Sequence, residues 1–391
     1  MSFGNDLNIM TLTLSIEKAN RFCLFRHHLL EKVEDKALLR VVHDICGLNA
    51  QGAITVNLSL WNRIKTFDRR KLQEALYDKR ILVKTWCMRG TVHIVPSKNL
   101  PVFHQALKNN LMKDWQHFLK RRQASLSHRK RRDIYQKILN SLSKKPLTRR
   151  ELCKALGVKT RDNEIFVSRV LREMSYAGFL CHAKPLGPWY HFREYRFARL
   201  DKWLLKINLD SIETEDAKKQ LLLWYLLSYG PATVQDFAYW AGYSVREAKR
   251  VFQITKGELN EVRIKGKKGK FWIHADDLET LDEVDVEAKP QACILPSFDP
   301  LIMGHKDKTH ILNPEHKRRV FLPLANVAAT ILIGGKVVGT WRQRKQKKYL
   351  AVDVEMFERL TEVDMLVLRS KFEEMSLFLE MPEIRIKMKG I

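Results

Sequence analysis

The apolar and polar positions in the middle of the chain repeat one frame twice. Residues 148–157 and 233–242 both read Thr-x-x-acid-apolar, and both have glycine at the tenth position. The threonine can cap a helix, the acid three residues later can accept a hydrogen bond from the cap, and the glycine ends the helix about two turns on. Each frame therefore predicts a short helix with a defined start and end.

The elements around the two frames also follow one order. The pattern predicts helices at 133–141 and 163–177 around the first frame and at 217–229 and 245–252 around the second, with β-like stretches at 190–197 and 259–274. A helix, a short capped helix, a third helix and a hairpin, about eighty residues in all, make up a winged helix-turn-helix. The two frames thus predict two such units, at 128–200 and 212–275.

The start of the chain carries the same order in a looser form. The predicted elements are helices at 16–32, 35–46 and 69–77, and strands at 81–88 and 91–95 around the turn Arg89-Gly90. This order predicts a further winged helix-turn-helix at 10–110.

The last third of the chain has short β-branched segments instead. The predicted strands are 293–296, 329–333, 336–341 and 349–354, with Gly334-Gly335 as a hairpin turn and a closing helix at 362–378. We expect a small β-barrel or curled sheet at 290–391, joined to the rest through the acidic run 276–287. The predicted fold class is α+β, with three tandem winged helix-turn-helix units followed by a small C-terminal β-barrel.

The composition is that of a soluble globular protein, with 45% hydrophobic and 29% charged residues among 391. No apolar run approaches the ~18 residues that a membrane span needs. The first residues lack a basic segment followed by an apolar one, so we expect a cytoplasmic protein, associated with the nucleoid when it binds DNA. The six cysteines are scattered without a CxxC pair, which favours buried thiols over disulfides and predicts no metal site.

The charge changes this picture, because 70 Lys and Arg face 44 Asp and Glu, a formal net charge of +26. The cations cluster: residues 113–150 hold thirteen Lys and Arg against two Asp, and residues 342–348 hold five without an acid. A basic but otherwise ordinary surface is the plain alternative. The segregation instead favours one face that binds a polyanion.

Six segments of the chain stand in one characteristic order. They are 47–51 (GLNAQ), 58–61 (LSLW), 85–93 (TWCMRGTVH), 229–240 (YGPAT with DFAYW), 295–299 (LPSFD) and 338–342 (VGTWR). This set resembles the winged-helix alkyl-DNA glycosylase family, the AlkZ/YcaQ-like proteins, over nearly the whole chain. The resemblance implies three winged helices and a C-terminal β-barrel that form a basic channel for duplex DNA. It also implies excision of N-alkylated purines and, in some members, unhooking of interstrand crosslinks.

The resemblance places the catalytic motif of the family, Gln-Φ-Gln or Gln-Φ-Asp, on Asn49-Ala50-Gln51. Gln51 keeps the second position, but Asn49 replaces the first glutamine and is shorter by about 1.5 Å. A base alkylated at a ring nitrogen is already positive, so the enzyme has to hold a water and stabilise an oxocarbenium ion. A side-chain amide can hold that water. The alternative is that Asn49 caps a turn and Gln51 is a surface amide.

Several other residues are candidates around this motif. Two nearly all-cationic hairpin tips are predicted to contact DNA phosphates, one with Arg342, Arg344, Lys345, Lys347 and Lys348, and the third wing with Lys265, Lys267, Lys268 and Lys270. Arg89 and His93 flank the first wing, where Arg89 is a candidate DNA contact and His93 is a structural or a site residue. Asp299 is a helix cap or a second carboxylate near the site, and the cap is favoured.

Together with the resemblance, these observations predict a monofunctional DNA glycosylase that acts on double-stranded DNA as a monomer, without a metal or a small-molecule cofactor. No lysine stands in the motif to form a Schiff base, so strand cleavage is not expected. The main alternative is a catalytically silent winged-helix DNA-binding or regulatory protein, which the shorter Asn49 favours. An RNA-binding protein is the second alternative.

Overall fold

A computed structural model describes residues 12–122, 127–188, 194–284, 292–381 and 383–390. The described helices are α1 (Ile16–Arg26), α2 (Leu38–Asp44), α3 (Ala53–Trp61), α4 (Arg69–Gln73), α5 (Leu100–Arg121), α6 (His128–Ser141), α7 (Arg149–Ala155), α8 (Arg161–Tyr176), α9 (Leu200–Trp203), α10 (Thr214–Tyr229), α11 (Val234–Ala241), α12 (Val245–Ile254), α13 (Asp277–Glu283), α14 (Pro300–Met303), α15 (Lys317–Val320) and α16 (Glu362–Phe378). Short helical turns lie at Asp35–Ala37, Glu74–Asp78, Met88–Gly90, Ser97–Asn99, Lys256–Glu258 and Pro314–His316.

The strands complete a mixed α+β fold. They are β1 (Leu12–Leu14), β2 (Leu48–Asn49), β3 (Leu82–Trp86), β4 (Val92–Pro96), β5 (Leu147–Thr148), β6 (Leu180–Leu186), β7 (Glu194–Arg199), β8 (Leu259–Ile264), β9 (Phe271–His274), β10 (Cys293–Leu295), β11 (Phe321–Leu322), β12 (Asn326–Val327), β13 (Ala329–Ile333), β14 (Lys336–Lys345), β15 (Tyr349–Met356) and β16 (Glu383–Lys389). Part of the β-like stretch predicted at 190–197 lies outside the described residues.

Both predicted capping boxes are present. The Glu151 backbone N–H donates to Thr148 Oγ1 over 3.1 Å, and the Glu151 carboxylate accepts from the Thr148 backbone N–H over 2.7 Å. Thr233 and Asp236 exchange the same two bonds, over 3.1 and 3.0 Å. These bonds satisfy backbone donors at the starts of α7 and α11, so local sequence alone fixes where the two helices begin.

The elements follow the predicted order around each frame, with α6, α7, α8, β6 and β7 around the first and α10, α11, α12, β8 and β9 around the second. The winged-helix units remain an interpretation of that order. The predicted hairpins of the first two units share one six-stranded sheet, ordered β2-β4-β3-β6-β7-β5. The sheet is joined where Lys84 of β3 lies opposite His182 of β6.

The first unit contains a helix that the apolar pattern did not predict. Helix α3 spans Ala53–Trp61, and most of its side chains are buried on every side. Because its polar residues Asn57 and Ser59 are buried too, this helix has no exposed polar stripe from which a 3.6-residue period can be recognised. Its β-branched residues also suit a strand, so packing rather than propensity determines this helix.

The C-terminal strands form an open five-stranded sheet, ordered β10-β13-β14-β15-β16. The expected closed barrel is not confirmed, because β10 and β16 are edge strands and no pairing between them occurs in the described part of the chain. The chain passes from β15 through α16 and returns in β16 parallel to β15. Helix α16 packs Leu368, Phe372 and Met375 into one core with Ile331 and Val352 of the sheet. A helix, and not the opposite wall of a closed barrel, therefore covers this face of the sheet.

The last third also packs against the first unit rather than standing apart. One core cluster joins residues of α2 and α3 to the C-terminal sheet and α16, for example Trp61 and Phe378, whose rings stack at 6.0 Å. A second cluster joins α5, α10, α11 and α12 to β3 and β4. Strand β4, which lies beside β2, is therefore held from both sides.

Candidate active site and DNA-binding surface

The two candidate amides lie where β2 ends and the chain turns into α3. Asn49 is the last residue of β2 and lies opposite His93 of β4, and the next residue donates its backbone N–H to the Val92 carbonyl over 2.8 Å. Thr85 of β3 lies opposite His93 on the other side. Because paired residues of neighbouring strands point to the same face of a sheet, Asn49, His93 and Thr85 form one row.

The two amides have different surroundings. Asn49 is 4% exposed, and its Oδ1 accepts a hydrogen bond from the Gln51 backbone N–H over 3.3 Å. Gln51 itself is exposed, one residue before the Gly52 cap of α3. The Asn49 side chain therefore caps this turn, as the alternative interpretation of the sequence expected. The turn brings the buried amide of Asn49 close to the exposed amide of Gln51.

His93 is a neutral imidazole at this site. Its Nδ1 lies 3.0 Å from the Thr91 carbonyl, and since a carbonyl only accepts, Nδ1 carries the proton and Nε2 a lone pair. Burial, with a smaller contribution from the Arg89 charge, lowers the pKa of His93 to about 3. A histidine in this state can accept a hydrogen bond on the row shared with Asn49 without adding positive charge there.

Arg89 lies in the turn Met88–Gly90 with a left-handed φ of 54°. Its Nη1 donates to the Trp240 carbonyl over 2.6 Å, and its guanidinium carbon lies 5.9 Å from the centre of the Tyr239 ring. Arg89 thus fastens the first hairpin to α11. The DNA contact predicted for Arg89 would have to use its remaining N–H groups.

Sequence reasoning missed a second cation beside the same tyrosine. Lys308 Nζ lies 5.1 Å from the Tyr239 ring centre and donates to the His305 carbonyl. Burial lowers the pKa of Lys308 to about 7, and the nearby Arg89 charge acts in the same direction. Residues 305–310 read His-Lys-Asp-Lys-Thr-His, a pattern typical of an exposed loop, so the sequence carried no signal for a buried lysine.

Asp299 is the N-cap of α14, as the sequence favoured, and is completely buried. Its Oδ1 accepts from the Leu301 backbone N–H over 3.1 Å and from Arg63 Nη2 over 2.7 Å. Its Oδ2 accepts from Arg63 Nη1 over 2.9 Å and from Ser59 Oγ over 2.6 Å. Both oxygens are committed to the core, so the alternative of a second site carboxylate finds no support in this geometry.

The tip of the third predicted wing connects β8 and β9, with Gly266 and Gly269 at positive φ angles of 78° and 104°. Two of its four lysines meet acids: Lys267 lies 3.1 Å from Asp307, and Lys270 lies 2.7 Å from a carboxylate of β8, that of Glu261. Two others, Lys265 and Lys268, are exposed and form no ion pair with the described residues. These two cations are the ones available to a phosphate.

The second basic hairpin is longer than predicted, because β14 continues to Lys345 and leaves only residues 346–348 in the turn. All five of its predicted DNA-binding cations are exposed. Arg344 forms a 2.8 Å ion pair with Asp353, and Arg342 lies opposite the same aspartate across the strands. Lys347 and Lys348 form no ion pair with any described residue, so the positive charge available to a phosphate is concentrated at the turn.

The basic run 113–150 falls mainly on the ends of α5 and α6. All of its lysines and arginines are exposed except Arg131 and Arg149, which are partly buried. Arg131 is used internally, in a 2.6 Å ion pair with the buried Glu173 of α8. Residues 123–126 of this run lie outside the described part of the chain.

Three further predictions concern the cysteines, metal ligands and membrane-spanning helices. All six cysteines are buried and free. Among the described residues, no three His, Cys, Asp or Glu side chains are grouped so as to hold a metal ion. No described helix has both the length and the apolar character that crossing a membrane requires.

Comparison with known proteins identifies a family for this chain. The chain is 27% identical over 323 residues to the interstrand DNA cross-link repair glycosylase of Streptomyces sahachiroi, a match of 77% of this chain and 81% of that protein. The solved structure of the DNA glycosylase AlkZ from the same organism covers 97% of this chain and 100% of its own, with a TM-score of 0.80 at 22% identity, which shows a shared fold. The model of the family described as DNA glycosylase AlkZ-like matches residues 42–378. The chain belongs to the AlkZ-like DNA glycosylase family.

Proposed function

We propose that this protein is a monofunctional DNA glycosylase that releases N-alkylated bases from duplex DNA. The observation that carries the proposal is that Asn49 lies opposite His93 on neighbouring strands, close in sequence to the exposed Gln51. A relative is named for the repair of interstrand crosslinks, so crosslinked duplexes are a second substrate class within the proposal.

The chemistry follows from the row of polar groups. An N-alkylated purine leaves as a neutral base, so the barrier lies in the positive sugar and in placing a water beneath its anomeric carbon. Gln51 is exposed and can hold that water by its amide oxygen. Asn49 fixes the turn through the Gln51 backbone, and His93 offers an uncharged acceptor on the same face. A protonated histidine here would repel the developing cation, whereas the lowered pKa of His93 keeps it neutral.

The proposal extends to how DNA is held. Three winged-helix units at 10–110, 128–200 and 212–275, with the C-terminal sheet, would line one basic channel. The exposed cations Lys265, Lys268, Lys347 and Lys348 would contact phosphates, together with the run 113–150. Binding of this kind depends on charge rather than on base sequence, which suits an enzyme that searches for rare lesions.

One observation favours the second candidate function, a DNA-binding protein without catalysis. Asn49 is buried, and its oxygen already accepts a hydrogen bond from the chain. An amide in that position supports a turn whether or not a reaction occurs. This candidate predicts DNA binding with no base release at all.

The test is base release from duplex DNA that contains 7-methylguanine, measured in single turnover with the protein in excess. Gln51→Ala should lower the rate at least ~100-fold, since misplacing a reacting group by ~1 Å costs that much. Its DNA affinity should stay within about twofold, because one uncharged amide adds little to phosphate binding. Gln253→Ala, which removes an exposed amide from α12, is the matched control. Equal rates for both variants would remove Gln51 from the mechanism.

A further inference from the structure

The hairpin of β11 and β12 ends in an exposed apolar tip. Its strands form a two-stranded sheet of their own, and the buried Val320 and Val327 anchor its base in a core cluster that also contains Phe357. At the tip Leu324 is 95% exposed, more than any other large hydrophobic side chain among the described residues. A single exposed leucine is ordinary on a protein surface, so its conformation and surroundings decide whether it has a role.

The backbone of this tip is strained. The Asn326 backbone N–H donates to the Pro323 carbonyl over 3.3 Å, which closes a four-residue turn. Both central residues, Leu324 and Ala325, have left-handed φ angles, of 58° and 57°. Turns of this kind normally carry asparagine and glycine, which adopt a positive φ at little cost. The chain therefore keeps an almost fully exposed leucine where the backbone suits it poorly, and strain of this kind is concentrated at functional sites.

The base of the hairpin is cationic. Lys317 and Arg318 of α15 are exposed and form no ion pair with the described residues. The sequence has no acid between Glu315 and Asp353. An apolar tip that projects beyond cations fits a partner with phosphates on its outside and apolar surfaces within, and stacked base pairs between two phosphate backbones have this character.

A series of short distances connects this hairpin to the candidate site. Lys308 Nζ lies 5.3 Å from the centre of the Phe321 ring, at the start of β11, and 5.1 Å from that of the Tyr239 ring. The Arg89 guanidinium carbon lies 5.9 Å from the same tyrosine ring. Arg89 is also close enough to the site that its charge, after the larger effect of burial, lowers the pKa of His93. The tip lies three residues beyond Phe321, about 10 Å along an extended strand, so it projects from the neighbourhood of the site.

We propose that Leu324 is a wedge that enters the base stack of the duplex and fills the space left when the damaged nucleotide turns out of the helix. The inference rests on the proposed function, because a glycosylase has to extrude its base before it can hydrolyse the glycosidic bond. The cations at the base of the hairpin bind the flanking phosphates, and the leucine side chain replaces stacking contacts of the extruded base. Leu324 is a positioning residue, since it stabilises the extruded state and takes no part in bond cleavage.

The first test is base release in single turnover from duplexes that contain 7-methylguanine. Leu324→Ala should lower the rate about tenfold when the lesion is paired with cytosine, since burial of a leucine side chain is worth at least that factor. The effect should shrink to within about threefold when the lesion lies opposite an abasic analogue, because an unpaired base costs less to extrude. Leu205→Ala is the matched control, because Leu205 is 81% exposed but lies outside this hairpin. An equal loss on both duplexes, or no loss on either, overturns the proposal.

A second variant separates contact with DNA from support of the hairpin. Asparagine adopts a positive φ more readily than leucine, so Leu324→Asn should unfold at a slightly higher temperature than the wild type. It should nevertheless release base as slowly as Leu324→Ala, because its polar side chain cannot replace an apolar stacking contact. Slower release together with a lower unfolding temperature would show that the leucine supports the hairpin, which overturns the proposal.

A binding experiment tests the wedge without catalysis. The probe is a duplex with a tetrahydrofuran abasic analogue beside 2-aminopurine, whose fluorescence rises when the base unstacks. Saturating wild type should raise the fluorescence, since a wedge partly unstacks the step that it enters, and Leu324→Ala should lose at least half of that rise. If this difference appears but the wild type releases no base from the lesion duplex, the proposed function fails and the wedge stands.

The opposite outcomes are equally distinct. Base release by the wild type, with the same fluorescence rise for Leu324→Ala or with no rise for either protein, leaves the proposed function intact and overturns the wedge. An apolar tip beside cations also suits an anionic lipid surface. Weaker binding of Leu324→Ala to phosphatidylserine vesicles, with both DNA readouts unchanged, would assign the tip to a membrane and overturn the proposal.

Discussion

The buried ion pair between Arg63 and Asp299 offers a sharp test of how the site is supported. Both side chains are completely buried, and two short bonds of 2.7 and 2.9 Å join them. Asp299→Asn keeps an oxygen that can cap α14 but removes the negative charge. The Arg63 guanidinium is then left inside the core without a counter-charge.

The expected loss is large compared with the stability of a protein. Breaking one partner of a buried pair costs about 3–5 kcal/mol, against a typical total of about 5–15 kcal/mol. Loss of the Ser59 hydrogen bond to a charged acceptor is part of that figure. By contrast, Asp353→Asn breaks a partly exposed pair with Arg344 and should cost less than about 1 kcal/mol.

Urea unfolding of the two variants measures this difference. A double variant, Arg63→Met with Asp299→Leu, should recover part of the loss, because an apolar pair leaves no buried charge. The recovery is incomplete because leucine also removes the cap of α14 and the acceptor of the Ser59 hydroxyl. Base release by Asp299→Asn, measured without urea at low temperature, should stay near the wild-type rate. An Asp299→Asn protein of unchanged stability that has lost base release would refute the reasoning and place Asp299 in the chemistry.

Three further predictions follow from the charges and from the shortened amide. In filter binding, the logarithm of the affinity for duplex DNA should fall with the logarithm of the salt concentration with a slope of several units. The double variant Lys265→Ala with Lys268→Ala should reduce that slope by about two. An affinity that does not change with salt would contradict the phosphate contacts. If the shorter amide limits positioning, Asn49→Gln should raise the single-turnover rate of base release, whereas a sharp fall would show that the turn is built around asparagine. Acid should destabilise the protein, because the pKa values of His93 and His104 are lowered to about 3 and about 4, below their usual value near 6.5. As the pH falls, these histidines take up protons in the unfolded chain before they do so in the folded one. The free energy of unfolding is therefore unaffected by them above pH ~6.5 and decreases towards pH ~4, by on the order of 1 kcal/mol per pH unit for His93. Urea midpoints that stay constant over this range would contradict this prediction.

Features that depend on neighbouring residues were predictable from the sequence. The capping boxes at Thr148 and Thr233 and the closing helix at 362–378 agree with the predicted positions, since their signals lie within a few residues of one another. For the row of Asn49 and His93, the sequence identified the residues but not their positions relative to each other. Both residues were candidates, but their register across β2 and β4 depends on tertiary packing.

Features that join distant parts of the chain were not predictable. Strand β1 pairs in parallel with β8, and β16 pairs in parallel with β15, although neither short segment carries a signal for its partner. The ion pair of Arg63 with Asp299 spans 236 positions, and a turn motif alone identified only the capping half of its role. Lys308 is buried by residues from elsewhere in the fold, which its polar local sequence conceals.

The central claim is that this chain releases an alkylated base and leaves the DNA backbone intact. The most direct measurement incubates excess protein with a duplex carrying one 7-methylguanine, then quantifies free base by chromatography and strand breaks on a denaturing gel. We expect stoichiometric release of 7-methylguanine, with strand cleavage only after treatment with alkali. Full binding of the duplex without release of free base would contradict it.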